Sequence, residues 1–521
     1  MTQFVAPEIA WASLTPILII FTAAVIGVLV EAFVPRQPRR SVQMVLALVA
    51  IAAALVAVVW RWTTIAVAGP QSVLGGALQE DPFSLGVQAV ALIAALLAVM
   101  VLSDRTTAQD GAIVAAGATR PGSPEEEDYT RAGFAVSEVY PLSLFALGGM
   151  LVFPATGDLV TLFIALEVMS LPLYILAGLA RRRRLLSQEA SLKYFVLGAF
   201  SSAFMLFGIA LVYGFSGGFT YRDIAAATAT VSGHDTLLLA GVVLILVGLL
   251  FKIGAAPFHT WTPDVYQGAP TPVTGFMAAG VKVAAFGALV RFFYVIGYAL
   301  TWDITPLLVG ATVLTIVVGT VLGVVQNDIK RMLAYSSIAH AGFLLLGLIA
   351  TNQAAISAIM FYLLAYGLAT VGAFGVISLV REVDEDGSMT AEATRIDQWA
   401  GLGRRHPLLA AAMMIFLLSF AGIPLTSGFI GKFVVFMAAL GGGYTWAVVL
   451  AVIASAATAF FYVRVLVVMF LDDAEENTVE VAHSEGPATI AVALCAIATV
   501  VLGIIPNSAL SLAAEVSKLL P

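Results

Sequence analysis

The sequence predicts an all-α polytopic membrane protein with 14 transmembrane helices, and three observations carry that expectation. First, 60% of the residues are hydrophobic and only 11% charged, with a mean hydropathy of +1.00, far from soluble usage. Second, apolar runs recur from one end of the chain to the other, each reaching the roughly 18 residues needed to cross a hydrocarbon core. Third, some of these runs carry ionisable side chains or break at Gly and Pro, the pattern of a protein with a polar interior rather than of a single anchor.

Other classes fall away on composition. A formal charge of −7 argues against nucleic acid as a partner. A lone cysteine, Cys495, rules out a cysteine-ligated iron–sulfur cluster or a disulfide framework. Neither a Walker A loop nor a GxGxxG turn is present, so no nucleotide site is visible. The N-terminal stretch MTQFVAPEIAW lacks a basic n-region, which reads as a retained first helix.

The spans fall in blocks. Residues 1–103 form an N-terminal three-helix segment, with spans near 8–33, 42–62 and 83–103. Residues 104–136, with the acid cluster Glu125 to Asp128, read as a cytoplasmic linker. A first five-helix block covers 137–298, with spans at 137–155, 157–180, 187–213, 236–258 and 270–298. A second covers 304–471, with spans at 304–326, 328–350, 355–381, 406–438 and 443–471, and a C-terminal helix follows in 487–521. Of 25 Lys and Arg, 16 fall in loops after odd-numbered spans (Arg36, Arg39, Arg40, Arg105, Arg120, Arg131, Arg181 to Arg184, Lys330, Arg331, Arg381, Arg395, Arg404, Arg405). Only Arg61, Arg222 and Lys518 lie opposite. The positive-inside rule then places both termini on the non-cytoplasmic side, and the four consecutive arginines read as a topology anchor at anionic headgroups.

Six basic residues lie inside spans. Arg291 and Arg464 are near helix ends, where long side chains snorkel to headgroups. Lys193 has Glu189 one turn before it, so a local ion pair and a functional role both stand open. Lys252, Lys282 and Lys432 lie deep or beside a break. There, loss of hydration disfavours the charged form, as exchange of a proton requires, whereas the static alternative is a fixed ion pair.

Glu167, in FIALEVMSLPLYILAG, is the natural anion, with Pro172 five residues on. Pro172 and Pro257 each free a backbone carbonyl one turn earlier, at Val168 and Ile253. The seventh span breaks in FKIGAAPFHTWTPDVYQGAPTPVT, among His259, Thr260, Trp261, Asp264, Tyr266 and Gln267. The twelfth breaks in AGIPLTSGFIGKF, just before Lys432. Interrupted segments in corresponding places of two halves are the sign of an inverted-repeat transporter. His340, mid-way along the tenth span, is placed as Glu167 is in the fifth, and an imidazole suits a proton link. His259 reads as a loop hydrogen-bonder, and Tyr335, Ser336 and Ser337 as polar groups able to order water. The acidic stretches Asp384 to Asp386 and Asp472 to Glu476 read as solvated loop charge.

These segments, with EASLKYFVLGAFSSA and NDIKRMLAYSSIAHAGF, resemble the antiporter-like membrane subunits of respiratory complex I over nearly the whole chain beyond residue 80. The resemblance implies two inverted five-helix repeats with discontinuous helices seven and twelve. It also implies a charged axis in which Glu167 pairs with Lys252, followed by Lys282 and Lys432. Lys193 matches a helix-six lysine of one branch of that family, and His340 falls where polar groups and water bridge the axis. The implied activity is proton translocation by a non-redox subunit of an NADH:quinone reductase. NADH, flavin, iron–sulfur clusters and quinone would then belong to partner subunits, beside further antiporter-like subunits in a bacterial cell membrane. Two other classes share the chain's features: a subunit of a multi-subunit cation/proton antiporter or membrane-bound hydrogenase, and an inert membrane spacer.

Overall fold

The computed structural model describes residues 9–104, 112–114, 116–117, 119–120, 123–132, 136–231, 233, 235–383, 389–473, 479–484 and 486–520. Arg105, Asp384 to Asp386, Ala474 to Glu476 and the N-terminal residues 1–8 lie outside them. The architecture is an all-α polytopic membrane bundle. Among the described residues, twelve helices are long and apolar enough to cross a membrane. They are the expected spans one to three, five to eleven, thirteen and fourteen. The fourth is a shorter apolar helix, Val139–Ala155, and the twelfth is divided into Pro407–Ala421 and Ser427–Gly441.

Boundaries differ from the sequence expectation where polar ends stay helical. The second helix runs Arg36–Ala68 and the sixth Arg184–Ser216, 33 residues each. At 1.5 Å per residue that is about 50 Å, well beyond a ~30 Å core, so the hydropathy window sees only the middle. The last expected span is two helices, Pro487–Ile504 and Asn507–Val516, parted at Pro506.

Burial sorts the bundle. The apolar window of the eighth helix, Thr271–Val295, is entirely buried and that of the tenth, Ile329–Leu348, 94% buried, against 39% for the sixth. The eleventh, Gln353–Leu379, packs on the third, eighth, twelfth and fourteenth spans. These inner helices can carry polar side chains without facing lipid.

Two starting points are built alike. Asp158 caps the fifth helix, Leu159–Ala177, through the Thr161 amide, and Asp328 caps the tenth through that of Arg331. Each aspartate also forms a β-bridge to the loop beyond the following helix, Asp158 to Thr220 and Asp328 to Arg395. The flanking amides repeat the pattern: Leu159 and Tyr221 donate to Phe219 and Gly157, as Ile329 and Ile396 donate to Thr394 and Asn327.

Short strands, not anticipated from hydropathy, close the extramembrane faces. β1 (Gln71–Val73) pairs antiparallel with β2 (Leu78–Glu80), Gln71 opposite Glu80. β3 (Val380–Val383) lies between β4 (Met389–Glu392) and β5 (Val479–Val481), both antiparallel to it.

Several basic residues are not where hydropathy put them. Arg61 is a buried member of the second helix, paired with Glu80 at 2.6 Å. Burial pushes the Glu80 carboxyl up, but the bonds from Arg61, Gln71 and Ser13 outweigh it and hold the group below the usual carboxylate range. Arg291 does not reach headgroups. Its guanidinium, 0% exposed, grips Asp81 at 2.8 and 2.9 Å and the Pro154 carbonyl at 2.7 Å, because the planar fork matches a carboxylate held at a helix cap. Arg464 donates instead to carbonyls of Gln326 and Val324. Within the arginine run, Arg183 binds Thr394 and Glu382 and Arg184 binds Glu126, so these two tie protein to protein rather than to lipid.

Candidate functional site: an interior row of lysines, tyrosines and hydroxyls

The seventh span ends its first half at Ile253. Gly254 then turns left-handed (φ 74°), and the chain re-enters a helix at Trp261–Gly268. Such a left-handed glycine is the ordinary way to end a helix. Lys252, 3% exposed, occupies the last turn, where the carbonyl ends of the helix favour a cation. Its Nζ donates to Ser170 Oγ at 2.6 Å and to the Tyr194 hydroxyl at 3.5 Å, and lies over the Tyr174 and Tyr194 rings.

Glu167 stands one turn before Ser170 on the fifth helix. No ion pair joins it to Lys252 within 4 Å, and its Oε1 is buried without a hydrogen-bond partner among the described residues. The two charges are neighbours but not in contact.

From Lys252 the contacts run on through aromatic rings to the next hydroxyls. Tyr194 stacks on Trp261 at 4.7 Å between centroids, and Trp261 meets Tyr266 edge-on at 6.4 Å. The Tyr266 hydroxyl lies 3.3 Å from Ser337 Oγ. Ser337 in turn takes two bonds from Lys282, one on its hydroxyl at 2.5 Å and one on its carbonyl. Lys282 directly follows a π-helical turn, Met277–Val281, a local widening that is common at functional sites.

The second half continues the row. Lys282 Nζ sits 5.1 Å from the Tyr366 ring centre, and Tyr366 contacts the His340 ring at 5.0 Å. His340 Nδ1 is 2.6 Å from the Tyr362 hydroxyl, its Nε2 is 3.4 Å from that of Tyr462, and Tyr462 bonds Ser336. The ring also touches Phe420. The Phe420 carbonyl accepts from Lys432 at 2.7 Å, beside bonds to Ala421 O at 3.0 Å and Ser455 Oγ at 2.7 Å. Lys432 thus folds back from the second half-helix onto the carbonyl end of the first. Gly422 (φ 81°) permits this, since a Cβ there would lie 2.9 Å from Lys432 Cδ.

The six residues singled out in the sequence therefore divide. Lys252, Lys282, His340 and Lys432 belong to one connected row, with Glu167 beside its start. Lys193 lies off it: 42% exposed, it pairs with Glu189 at 2.7 Å and with Asp264 at 2.8 Å. His259 stays in the loop of the break, half buried, with Nδ1 lacking a hydrogen-bond partner among the described residues. Sequence reading missed Ser170, Tyr194, Tyr362, Tyr366, Tyr462 and Ser455. Ser170 was signalled by lying three residues after Glu167, hence on the same helix face; the tyrosines carried no such mark.

Shared register also corrects the placing of His340. Counted from the matching caps, Glu167 is nine residues after Asp158, and nine after Asp328 stands Ser337. His340 corresponds instead to Ser170.

Residues 156–458 match the model of the family described as NADH:quinone oxidoreductase/Mrp antiporter, TM. Over 99% of both chains, the protein is 57% identical to NADH-quinone oxidoreductase subunit N of Beutenbergia cavernae. A chain of respiratory complex I from Thermus thermophilus, solved with bound aureothin, superposes with a TM-score of 0.75 at 34% identity, covering 96% of this chain and 99% of that one. A chain of the Mrp complex from Dietzia sp. gives a TM-score of 0.81 at 21% identity, covering 98% and 97%, a likeness of fold alone.

Proposed function

We propose, from the premise that the chain belongs to the NADH-quinone oxidoreductase subunit N family, that it moves protons along the interior row from Lys252 to Lys432. The observation that carries the reading is the continuity of that row. Lys252, Lys282, His340 and Lys432 follow one another along a single interior line. They are joined by hydrogen bonds at Ser170, Tyr194, Ser337, Tyr362, Tyr462 and the Phe420 carbonyl and by ring contacts of Trp261, Tyr366 and Phe420 between them, with water needed to carry the proton past the rings. Residues 137–298 and 304–471 are its two antiporter-like halves, a division supported by the matching cap-and-bridge starts at Asp158 and Asp328.

The transfer is gated by charge. When Glu167 closes on Lys252, two unit charges about 4 Å apart attract by about 4 kcal/mol at an effective dielectric of 20 and hold the lysine protonated. When Glu167 stands off, as here, Lys252 rests on neutral oxygens and can release its proton toward Ser337 and Lys282. Moving one charge against 100 mV requires about 2.3 kcal/mol, so making or breaking a single contact is large enough to gate one proton, with the net work supplied by the redox reaction in partner subunits. Lys193, paired with Asp264, stands beside the row at the second half of the broken seventh span.

No redox step falls to this chain. In this reading NADH, flavin, iron–sulfur clusters and quinone reside in partner subunits of a bacterial cell-membrane complex, together with further antiporter-like subunits, and both termini face the non-cytoplasmic side. Lys252→Ala is expected to abolish NADH-driven acidification of inverted membrane vesicles while the complex remains assembled. Full pumping by that variant would overturn the proposal. Co-purification with flavin and NADH oxidation distinguishes this reading from a cation/proton antiporter.

A further inference from the structure

The short helix Trp261–Gly268 touches both ends of the first transfer. Its first residue, Trp261, stacks on Tyr194 at the Lys252 site and donates from Nε1 to the Phe251 carbonyl at 2.9 Å. Five residues on, Tyr266 contacts Ser337, the residue that holds Lys282. A rigid segment that meets two sites governs whether they stand in register with one another.

What fixes that segment lies on its other face. Asp264 accepts from Lys193 on Oδ2 at 2.8 Å and from Arg331 on Oδ1 at 2.7 Å. Gln267 bridges Arg331 and Asp328 at 3.1 Å each, and Lys330 donates to the Ala269 carbonyl at 2.7 Å. Arg331, Lys330 and Asp328 all belong to the start of the tenth span. The second half of the broken seventh span is therefore held from both halves of the protein, by Lys193 of the sixth span and by Asp328, Lys330 and Arg331 of the tenth. Within this set Asp264 joins a cation of the sixth span, Lys193, to one of the tenth, Arg331. It is also 29% exposed, so the clamp sits at the edge of the bundle rather than in its sealed interior.

We propose that Asp264 is a positioning residue for proton transfer: bridged between Lys193 and Arg331, it holds helix Trp261–Gly268 where Trp261 and Tyr266 keep the Lys252 and Lys282 sites connected. The role rests on the function proposed above and adds to it a coupling between the two halves. It also gives Lys193 a function without placing it in the row: its charge loads the clamp.

The test measures protons moved per NADH oxidised in inverted vesicles carrying the assembled complex, with amide hydrogen exchange over 261–268. Asp264→Asn and Arg331→Gln are each expected to lower the ratio roughly fivefold or more, as an interaction that couples two sites does. Asp264→Glu, which keeps the charge, is expected to restore it. Exchange over 261–268 should rise in Asp264→Asn and return in Asp264→Glu, and the proton ratio should follow it while assembly and NADH oxidation stay unchanged; a purely structural contact would move the exchange alone. If Asp264→Asn fails to assemble, Arg331→Gln reads the same clamp from its other side. Unchanged pumping in Asp264→Asn or Arg331→Gln, with pumping lost in Lys252→Ala, overturns this inference alone. Full pumping in Lys252→Ala overturns the proposed function itself.

Discussion

The fifth and tenth helices begin with the same cap, the same bridge and the same flanking hydrogen bonds, yet nine residues on they diverge. One presents Glu167, the other Ser337. In the first half an acid stands near a lysine without touching it. In the second, a serine takes two bonds from Lys282, and Lys432 is satisfied by two carbonyls and another serine. The scaffold is shared but the charge is not. Lys252 also rests on neutral oxygens, but with a carboxylate as neighbour a contact between them would give it a second environment. In the proposed mechanism the gate therefore lies at Glu167 and Lys252, and Lys282, His340 and Lys432 conduct.

The sharpest way to break this contrast is to remove the acid. Glu167→Gln keeps shape and burial but deletes an attraction of about 4 kcal/mol in the closed arrangement. Since about 2.7 kcal/mol already corresponds to a hundredfold change, pumping measured in vesicles should fall to background while NADH oxidation persists uncoupled or slowed. Retention of half the pumping would move the gate elsewhere.

A smaller loss is expected on the serine side. Ser337→Ala removes one of the two acceptors of Lys282 and leaves the backbone carbonyl in place. A hydrogen bond to a charged group contributes about 1.5 kcal/mol at the low end, so proton transfer should slow about tenfold. A loss as complete as that of Glu167→Gln would mean that both halves gate.

Much of this was legible in the chain. Apolar runs, the broken seventh and twelfth spans and the lysines beside them follow from burial cost, because a charge or a helix break at membrane depth has few explanations. What periodicity could not show was the company each charge keeps. Arg291 near a helix end looked like a residue bound for the headgroups, but its partner Asp81 lies 210 positions away. Arg61 looked like a loop charge for the same reason, its helix extending beyond the hydrophobic window to meet Glu80. The tyrosines of the row sit in apolar runs where an aromatic ring raises no flag, and only packing turns their hydroxyls toward His340. The offset between His340 and Glu167 was likewise invisible until the two caps fixed a common origin.

That common origin is itself testable, and with the smallest effect. If the two starts are one device used twice, Asp158→Ala and Asp328→Ala should each lower stability by about 1 kcal/mol, the usual cost of losing an N-cap. Thermal unfolding of the purified complex in detergent, followed by the accessibility of Cys495, which is buried in the fourteenth span, checks both. Asp328→Ala should be somewhat the more damaging, because Asp328 also accepts from Gln267 of the clamped helix, while the Asp158 side chain instead takes a second bond from Thr161 within its own first turn. The difference between the two variants thus isolates what the tenth-span cap does for its neighbour. Combining Asp328→Ala with Gln267→Ala should erase that excess, since contacting residues do not add; an excess that survives the double substitution would show that the two caps differ for a reason unconnected with the broken helix.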